Sequence, residues 1–310
     1  MSKVLVTGAS GFIGQRLVSR LRLDGHAVTT VTLASKPTVG DGEVGLDLAE
    51  PGHLEALAAS GLRCDAVVHL AGRVDIQLQP GMTPAAPPVP GDAPLEGLYR
   101  DNVLATANLA AFCLRTSVPH LVFASSQSVY GYPVERPLTE ISRCQPLEHY
   151  AASKLCAEHL LEVFSRQGMA VSILRCSGVF SEDRRTGVVR TFANQAVRDG
   201  RIVVHAAYPL PLDVIHVDDV VEAFALAARA PGQGFRCLNI STGEPCNLDI
   251  LADAICALVP GCRTVHEAVA QPVVQLGNAA ARAALGWNPA PRVRRLSDMV
   301  TAARVQGRST

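Results

Sequence analysis

Several things are scarce in this 310-residue chain, and each scarcity removes a class of function. Formal charge cancels, 28 basic residues against 28 acidic, so no net field favours nucleic acid or an anionic membrane surface as partner. A small-molecule ligand is the expectation. No run of about eighteen uninterrupted apolar residues occurs, which leaves no candidate membrane span. Lys3 is followed at once by VLVTG, without room for the charged and apolar regions of a secretory signal. Nine cysteines include no C-x-x-C pair and are odd in number. They read as reduced, mostly buried thiols of a cytoplasmic protein. Lysine is scarce too: Lys3, Lys36 and Lys154 are the only three, so the position of each is informative.

What is present is an alternation. Apolar runs of strand length, VLVT (4–7), AVTTVTL (27–33), VGLDL (44–48), AVVHLA (66–71), HLVFASS (120–126) and VSILRC (171–176), are separated by amphipathic segments of helix length. Such runs suit strands buried on both faces, and the alternation predicts a doubly wound, parallel, Rossmann-type α/β sheet. Between the fourth and fifth runs, residues 79–94 hold six prolines and no periodicity. This insertion reads as a solvated loop or as a lid over a crevice at the carboxyl ends of the strands. Beyond residue 176 the pattern loosens, with helices expected at 219–230 and 248–258 and a strand at 236–240.

The stretch VTGASGFIGQRLVSRL places Gly8, Gly11 and Gly14 after the first strand and at the opening of an amphipathic helix. Glycines so spaced permit a tight turn, close approach of backbone to a pyrophosphate, and helix-on-strand packing, with N–H groups and the helix dipole facing the anion. Further on, HYAASKLCAEHLLEVF sets Tyr150 and Lys154 four apart on one helix face. An ammonium beside a phenol favours phenolate, so Lys154 is expected to lower the Tyr150 pKa toward neutrality for proton exchange with an alcohol or carbonyl. The strand end HLVFASSQSVYG supplies Ser125, Ser126 and Ser128 nearby. Together these predict a dinucleotide-binding domain over 1–175, to which 212–240 partly returns. A smaller mixed α/β substrate-binding lobe is expected from 176–211 and 241–310.

The Gly-x-x-Gly-x-x-Gly loop after Thr7, the Ser-Ser-x-x-Val-Tyr-Gly run and the Tyr-x-x-x-Lys helix resemble the extended short-chain dehydrogenase/reductase superfamily, that is, the NAD-dependent epimerase/dehydratase family. The resemblance implies that Ser126, Tyr150, Lys154 and Asn102 are catalytic. It places Gly8, Ser10, Gly11, Phe12, Ile13, Gly14, Thr32, Ser35, Lys36, Asp47, Leu48, Leu70, Ala71, Gly72, Ser125 and Cys176 at the cofactor, with Tyr150 and Lys154 touching it as well. Ser128, Ser177 and Arg185 would meet the substrate. His69 falls in the fourth-strand turn near the phosphates and ribose. The runs Ile215-His216-Val217-Asp218-Asp219 and Leu285-Gly286-Trp287 match substrate-lobe signatures, with His216 read as structural and Asp218 as a helix N-cap. No metal is expected, since the paired acids lack a ligand cluster. The helices around 98–117 and 150–167 imply a homodimer.

The reaction is narrowed by departures from the family pattern. Gln127-Ser128 stands where dehydratases of this kind carry an Asp-Glu pair. Leu212 occupies the place of an arginine that clamps a substrate diphosphate, and VHEAVAQPVVQLG lacks the second. Arg184, Arg185 or Arg190 could replace them, so a sugar nucleotide or another polar ketone stays open. At VTLASKP the position of the ribose-binding acid is Thr32, followed by Ser35 and Lys36. A hydroxyl and a cation suit a 2′-phosphate, which favours NADP over NAD and net reduction over epimerisation. A ketoreductase therefore leads, with a sugar-nucleotide epimerase as the alternative. A non-catalytic NADP-binding scaffold is the third reading, against which both Tyr150 and Lys154 are retained.

Overall fold

A computed structural model describes residues 1–40, 42–74, 94–131, 136–184, 186–206, 211–230 and 232–307. The first strand, β1 (Lys3–Thr7), is buried on both faces from its second residue on, as a continuous apolar run demands. Val4 and Val6 point into one core with Leu17, Leu21, Phe224 and Trp287, while Leu5 points into another with Leu109, Phe112 and Leu161. The period of two thus feeds two layers.

Helix α1 (Phe12–Leu23) follows, then β2 (Ala27–Thr32), a hairpin of β3 (Thr38–Gly40) and β4 (Glu43–Gly45), α2 (Pro51–Ala59) and β5 (Ala66–His69). Next come α3 (Pro94–Tyr99), a π-helical turn (Arg100–Leu104), α4 (Ala105–Arg115), β6 (His120–Ser126), a 3-10 turn (Gln127–Tyr130), α5 (His149–Ser165) and β7 (Ala170–Cys176). The last part of the chain adds β8 (Gly178–Phe180), α6 (Val188–Asp199), β9 (Arg201–Ala206), β10 (Val214–His216), α7 (Val217–Arg229), β11 (Phe235–Ile240), α8 (Leu248–Cys256), β12 (Arg263–Ala268), α9 (Ala279–Leu285) and α10 (Arg292–Gly307).

The main sheet runs β11-β7-β6-β5-β1-β2-β4-β3, parallel except for β3 against β4. Strand order reverses at β1, where Thr7 is level with Val31 on one side and His69 on the other. Such a switch point opens a ligand crevice at the carboxyl ends of the strands. Beyond it, the parallel pairs β8–β10 and β9–β12 stand apart from the main sheet. A third core of Phe192, Ile202, Leu251, Ile255, Leu296 and Met299 joins α6, α8 and α10 to β9.

Several expectations are corrected. Cys256 and Cys262 form a disulfide with Cα atoms 5.3 Å apart, so not all the cysteines are reduced. A C-x5-C spacing has no signature of its own; the bend from α8 to β12 brings the two together. The cap of α7 is His216, whose Nδ1 accepts the Asp218 N–H at 3.3 Å while Nε2 lies 3.1 Å from Glu182. Asp218 lies instead in the first turn, where its charge suits the helix dipole. Most of the 79–94 insertion lies outside the described residues; α3 begins at its Pro94. No described helix is long and apolar enough to cross a membrane.

Candidate active site

The turn after β1 is built for close approach. Gly8 has φ +67°, and a Cβ there would meet the Ala71 nitrogen at 2.6 Å. At Gly14 a Cβ would meet the Gly8 carbonyl oxygen at 2.1 Å, so the third glycine serves the packing of α1 on the turn. Gly11 caps α1 with no side-chain hydrogen bond, leaving the first-turn N–H groups of Phe12 and Ile13 for an anion. The cradle fits a dinucleotide pyrophosphate.

Behind this turn runs a buried hydrogen-bond chain with a defined direction. The Thr106 hydroxyl donates to the Asn102 carbonyl at 2.7 Å and so accepts from His69 Nε2 at 3.0 Å. Nδ1 of His69 is then the acceptor for the Thr7 hydroxyl at 2.7 Å, and Thr7 Oγ1 accepts the Ala71 N–H at 3.2 Å. Burial first, and the Lys154 charge second, push His69 down to about 3, which keeps it neutral. His69 therefore lies beneath the phosphate turn and connects it to Asn102; a histidine inside an apolar strand gave no sequence signal of that role.

Asn102 sits in the π turn, an irregularity that re-aims a side chain. Its Nδ2 donates to the Arg73 carbonyl and to Ser153 Oγ, both at 2.9 Å, and Oδ1 accepts the Arg73 N–H at 2.7 Å. Ser153 in turn donates to the Tyr150 carbonyl at 2.7 Å. Gly72 lies over this junction, where a Cβ would be 2.9 Å from Asn102 Oδ1 and 3.3 Å from Lys154 Nζ.

Tyr150 and Lys154 share one face of α5, both buried. Lys154 Nζ donates to the Ala124 carbonyl at 3.0 Å and lies 4.8 Å from the Phe123 ring centre. Burial lowers the ammonium to about 8 against the opposing pull of Cys176 and Glu158. Tyr150 departs from expectation: burial, then Cys176, hold its phenol well above the ordinary value, and the hydrogen bond with Ser126 recovers only part of this. Lys154 is directed at Ala124, so desolvation outweighs it. Burial therefore reinforces the protonated form of the phenol.

Ser126, hydrogen-bonded to Tyr150, also accepts from the Ser128 N–H at 3.2 Å and the Ser128 hydroxyl at 2.9 Å. Ser125 points elsewhere, donating to buried Glu158, itself paired with Arg175 at 2.6 Å. Only its backbone is left for a cofactor. Cys176 is level with Ser126 across β7, a buried thiol pushed up to about 12. Ser177 is also committed, donating at 2.6 Å to buried Asp213, which pairs with Arg292 at 2.8 Å. That bond uses the hydroxyl's one proton, so toward a substrate Ser177 keeps only acceptor capacity. Arg185 lies outside the described residues.

At the far end of the crevice, Thr32 is half-buried while Ser35 and Lys36 are exposed. Thr32 lines a groove of about 290 Å³ with Ser10, Gln15, Thr30, Glu43 and Arg22, a cation the sequence pattern did not single out. Asp47 and Leu48 follow β4; burial would raise the Asp47 carboxyl, but Arg100 at 2.7 Å and the Ala49 N–H hold it below its ordinary range. Of the two described arginines considered as diphosphate ligands, Arg190 is buried against the Glu182 carbonyl and Gln306, and Arg184 stacks on Phe12. Leu70 and Ala71 carry the backbone that meets Gly8.

Comparison with known proteins agrees with this geometry. A UDP-glucose 4-epimerase from Mycolicibacterium smegmatis is 28% identical over 320 residues, 93% of each chain. A 2-alkyl-3-oxoalkanoate reductase from Stenotrophomonas maltophilia is 28% identical over 279 residues, 86% of this chain and 78% of that one. The structure of MoeE5 in complex with UDP-glucose and NAD aligns with a TM-score of 0.75 at 28% identity, over 98% of this chain and 99% of that one. The model of the NAD dependent epimerase/dehydratase family matches residues 4–241, from β1 through the glycine turn and the Tyr150 helix to the end of β11. The chain belongs to that family, the extended branch of the short-chain dehydrogenases/reductases.

Proposed function

We propose that the protein is an NADP(H)-dependent carbonyl reductase acting on a polar ketone. The observation that carries this is geometric: the buried Tyr150 phenol is hydrogen-bonded to Ser126 and shares a face of α5 with Lys154, the arrangement that passes a proton to a carbonyl oxygen. When bound, the nicotinamide supplies hydride to the carbonyl carbon. Ser126 then orients the oxygen, Tyr150 delivers the proton, and Lys154 holds positive charge beside them. Asn102 fixes the Tyr150 backbone through Ser153.

Preference for NADP rests on Thr32 at the acid position and on Arg22 in the same groove, which also holds the opposing acid Glu43, with the exposed Ser35 and Lys36 just beyond Thr32 in sequence as further hydroxyl and cation for a 2′-phosphate. For the substrate, Leu212 and the buried, engaged Arg190 weigh against tight capture of a diphosphate. A keto sugar nucleotide remains within the class. The lobe of 176–211 and 241–310 would close over it, and the apolar groove of about 690 Å³ lined by Tyr99, Val103, Leu104 and Leu160 would bury itself in a homodimer.

A second reading, epimerisation of a UDP-hexose, is favoured by the M. smegmatis relative and by MoeE5, whose structure holds UDP-glucose and NAD. One experiment separates the two. With carbonyl probes and with UDP-hexoses, a reductase consumes NADPH one-for-one with product, whereas an epimerase interconverts UDP-hexoses with no net consumption. Tyr150→Phe is expected to abolish either turnover while dinucleotide binding survives; retained turnover refutes the assignment of Tyr150.

A further inference from the structure

The segment just after β8 is anchored to the fold through Glu182, which meets His216 and Arg190, but its other residues make contacts that neither the fold nor the catalytic residues require. Asp183 accepts from Arg16 Nη2 at 2.5 Å, across 167 positions of sequence, and Ser181 donates to the same carboxylate. The ring of Phe12, the first residue of α1, is met by two guanidinium groups, Arg16 at 5.0 Å and Arg184 at 5.2 Å from its centre. Arg184 is itself steadied by donating to the Val179 carbonyl at 2.7 Å. The segment therefore lies across the first turn of α1, where uncapped N–H groups await the pyrophosphate.

We infer that residues 181–184 form a strap that crosses the first turn of α1 and retains the dinucleotide held there. This rests on the dinucleotide site and not on the reductase reading. The chemistry suits the task. The Arg184 guanidinium adds positive potential beside a pyrophosphate while Asp183 balances that of Arg16, and the contacts of Asp183 and Arg184 that close the strap are of kinds that can open. Arg16 and Asp183 are partly exposed, with side-chain exposures of 29% and 64%. An exposed ion pair and cation–π stacks are each of modest strength and screened or rearranged readily. The strap slows departure without making it impossible. Its main effect falls on the rate of release, since encounter is set by the open crevice.

The test is the release rate of NADPH, and of NADH, from the full-length protein, followed by loss of nicotinamide fluorescence after mixing with excess oxidised dinucleotide. Arg16→Ala, which removes ion pair and stack together, is expected to speed release roughly five- to tenfold; Asp183→Ala is expected to speed it roughly two- to fivefold. The double variant should match Arg16→Ala rather than the product of the two, and 0.5 M salt, roughly the scale at which exposed pairs are screened, should speed only the wild type and Arg184→Ala. Unfolding temperatures within about 2 °C of wild type show that the fold is intact, because all three residues are surface positions. Unchanged release in every variant, or effects that multiply in the double variant, overturns the strap while leaving the cofactor site standing. A wild type that binds neither dinucleotide overturns both.

Discussion

Lys154→Met separates the contribution of a residue to catalysis from its contribution to stability. The Lys154 ammonium is lowered from 10.5 to about 8, chiefly by burial. At about 1.4 kcal/mol per pH unit, the charged form is disfavoured in the folded protein by about 3 kcal/mol. The sign follows from proton counting: between pH 8 and 10.5 the unfolded chain binds the proton that the native state has released, so native stability rises with pH across that window. Below pH 8 the penalty is fully present. Methionine fills nearly the same volume with no charge. It forgoes the bond to the Ala124 carbonyl and the contact with the Phe123 ring, together about 1–2 kcal/mol. The variant is therefore expected to be inactive yet about 1–2 kcal/mol more stable than wild type at pH 7, with the difference gone or reversed by pH 10.5. Urea midpoints at both pH values measure this, on protein stripped of dinucleotide so that ligand linkage does not enter. A variant less stable than wild type at pH 7, or a difference independent of pH, refutes the reasoning.

Two further outcomes follow from the cofactor end and from the lobe. Lys36→Ala is expected to weaken NADPH about tenfold and NADH little, measured by fluorescence titration; equal effects on both would leave Thr32 without a phosphate partner. Cys256→Ser opens a loop of six residues' separation and is expected to destabilise by about 2 kcal/mol on the loop-closure model, read as a lower urea midpoint that a thiol reductant reproduces in wild type. Wild type indifferent to reductant would refute the disulfide.

Much of the fold was legible because long parallel strands leave continuous apolar runs, and VLVT, AVVHLA and HLVFASS each became a central strand. The glycine turn was legible for a steric reason: the clash distances at Gly8 and Gly14 show why no other residue fits. Less was legible where a side chain's partner lies far along the chain. Ser177 sits beside the catalytic strand ends and looks like a substrate contact, yet Asp213, 36 positions on, claims its hydroxyl. The Asp218-Asp219 pair looks like a cap, but the chain reaches α7 at an angle that puts the His216 ring there instead. Short strands such as β8 and β10, three residues each, carry no periodicity to read. The Cys256–Cys262 bond depends on a bend that composition does not encode.

The sequence-level view of the Tyr150–Lys154 pair omitted solvent, and restoring it changes the chemistry. Spacing alone makes the lysine an activator that turns the tyrosine into phenolate. Burial acts on both partners at once, raising the phenol and lowering the ammonium, and so moves the pair toward its neutral form. Placing a cation beside the ring shifts Tyr150 toward phenolate, and the nicotinamide ring is cationic when oxidised and neutral when reduced. On the proposed function, Tyr150 would act as an acid toward a ketone while the dinucleotide is reduced and as a base toward an alcohol once it is oxidised. On that reading the oxidation state of the bound dinucleotide would set direction, and the proposed retention by residues 181–184 would bear on the net reaction as directly as Ser126, Tyr150 and Lys154.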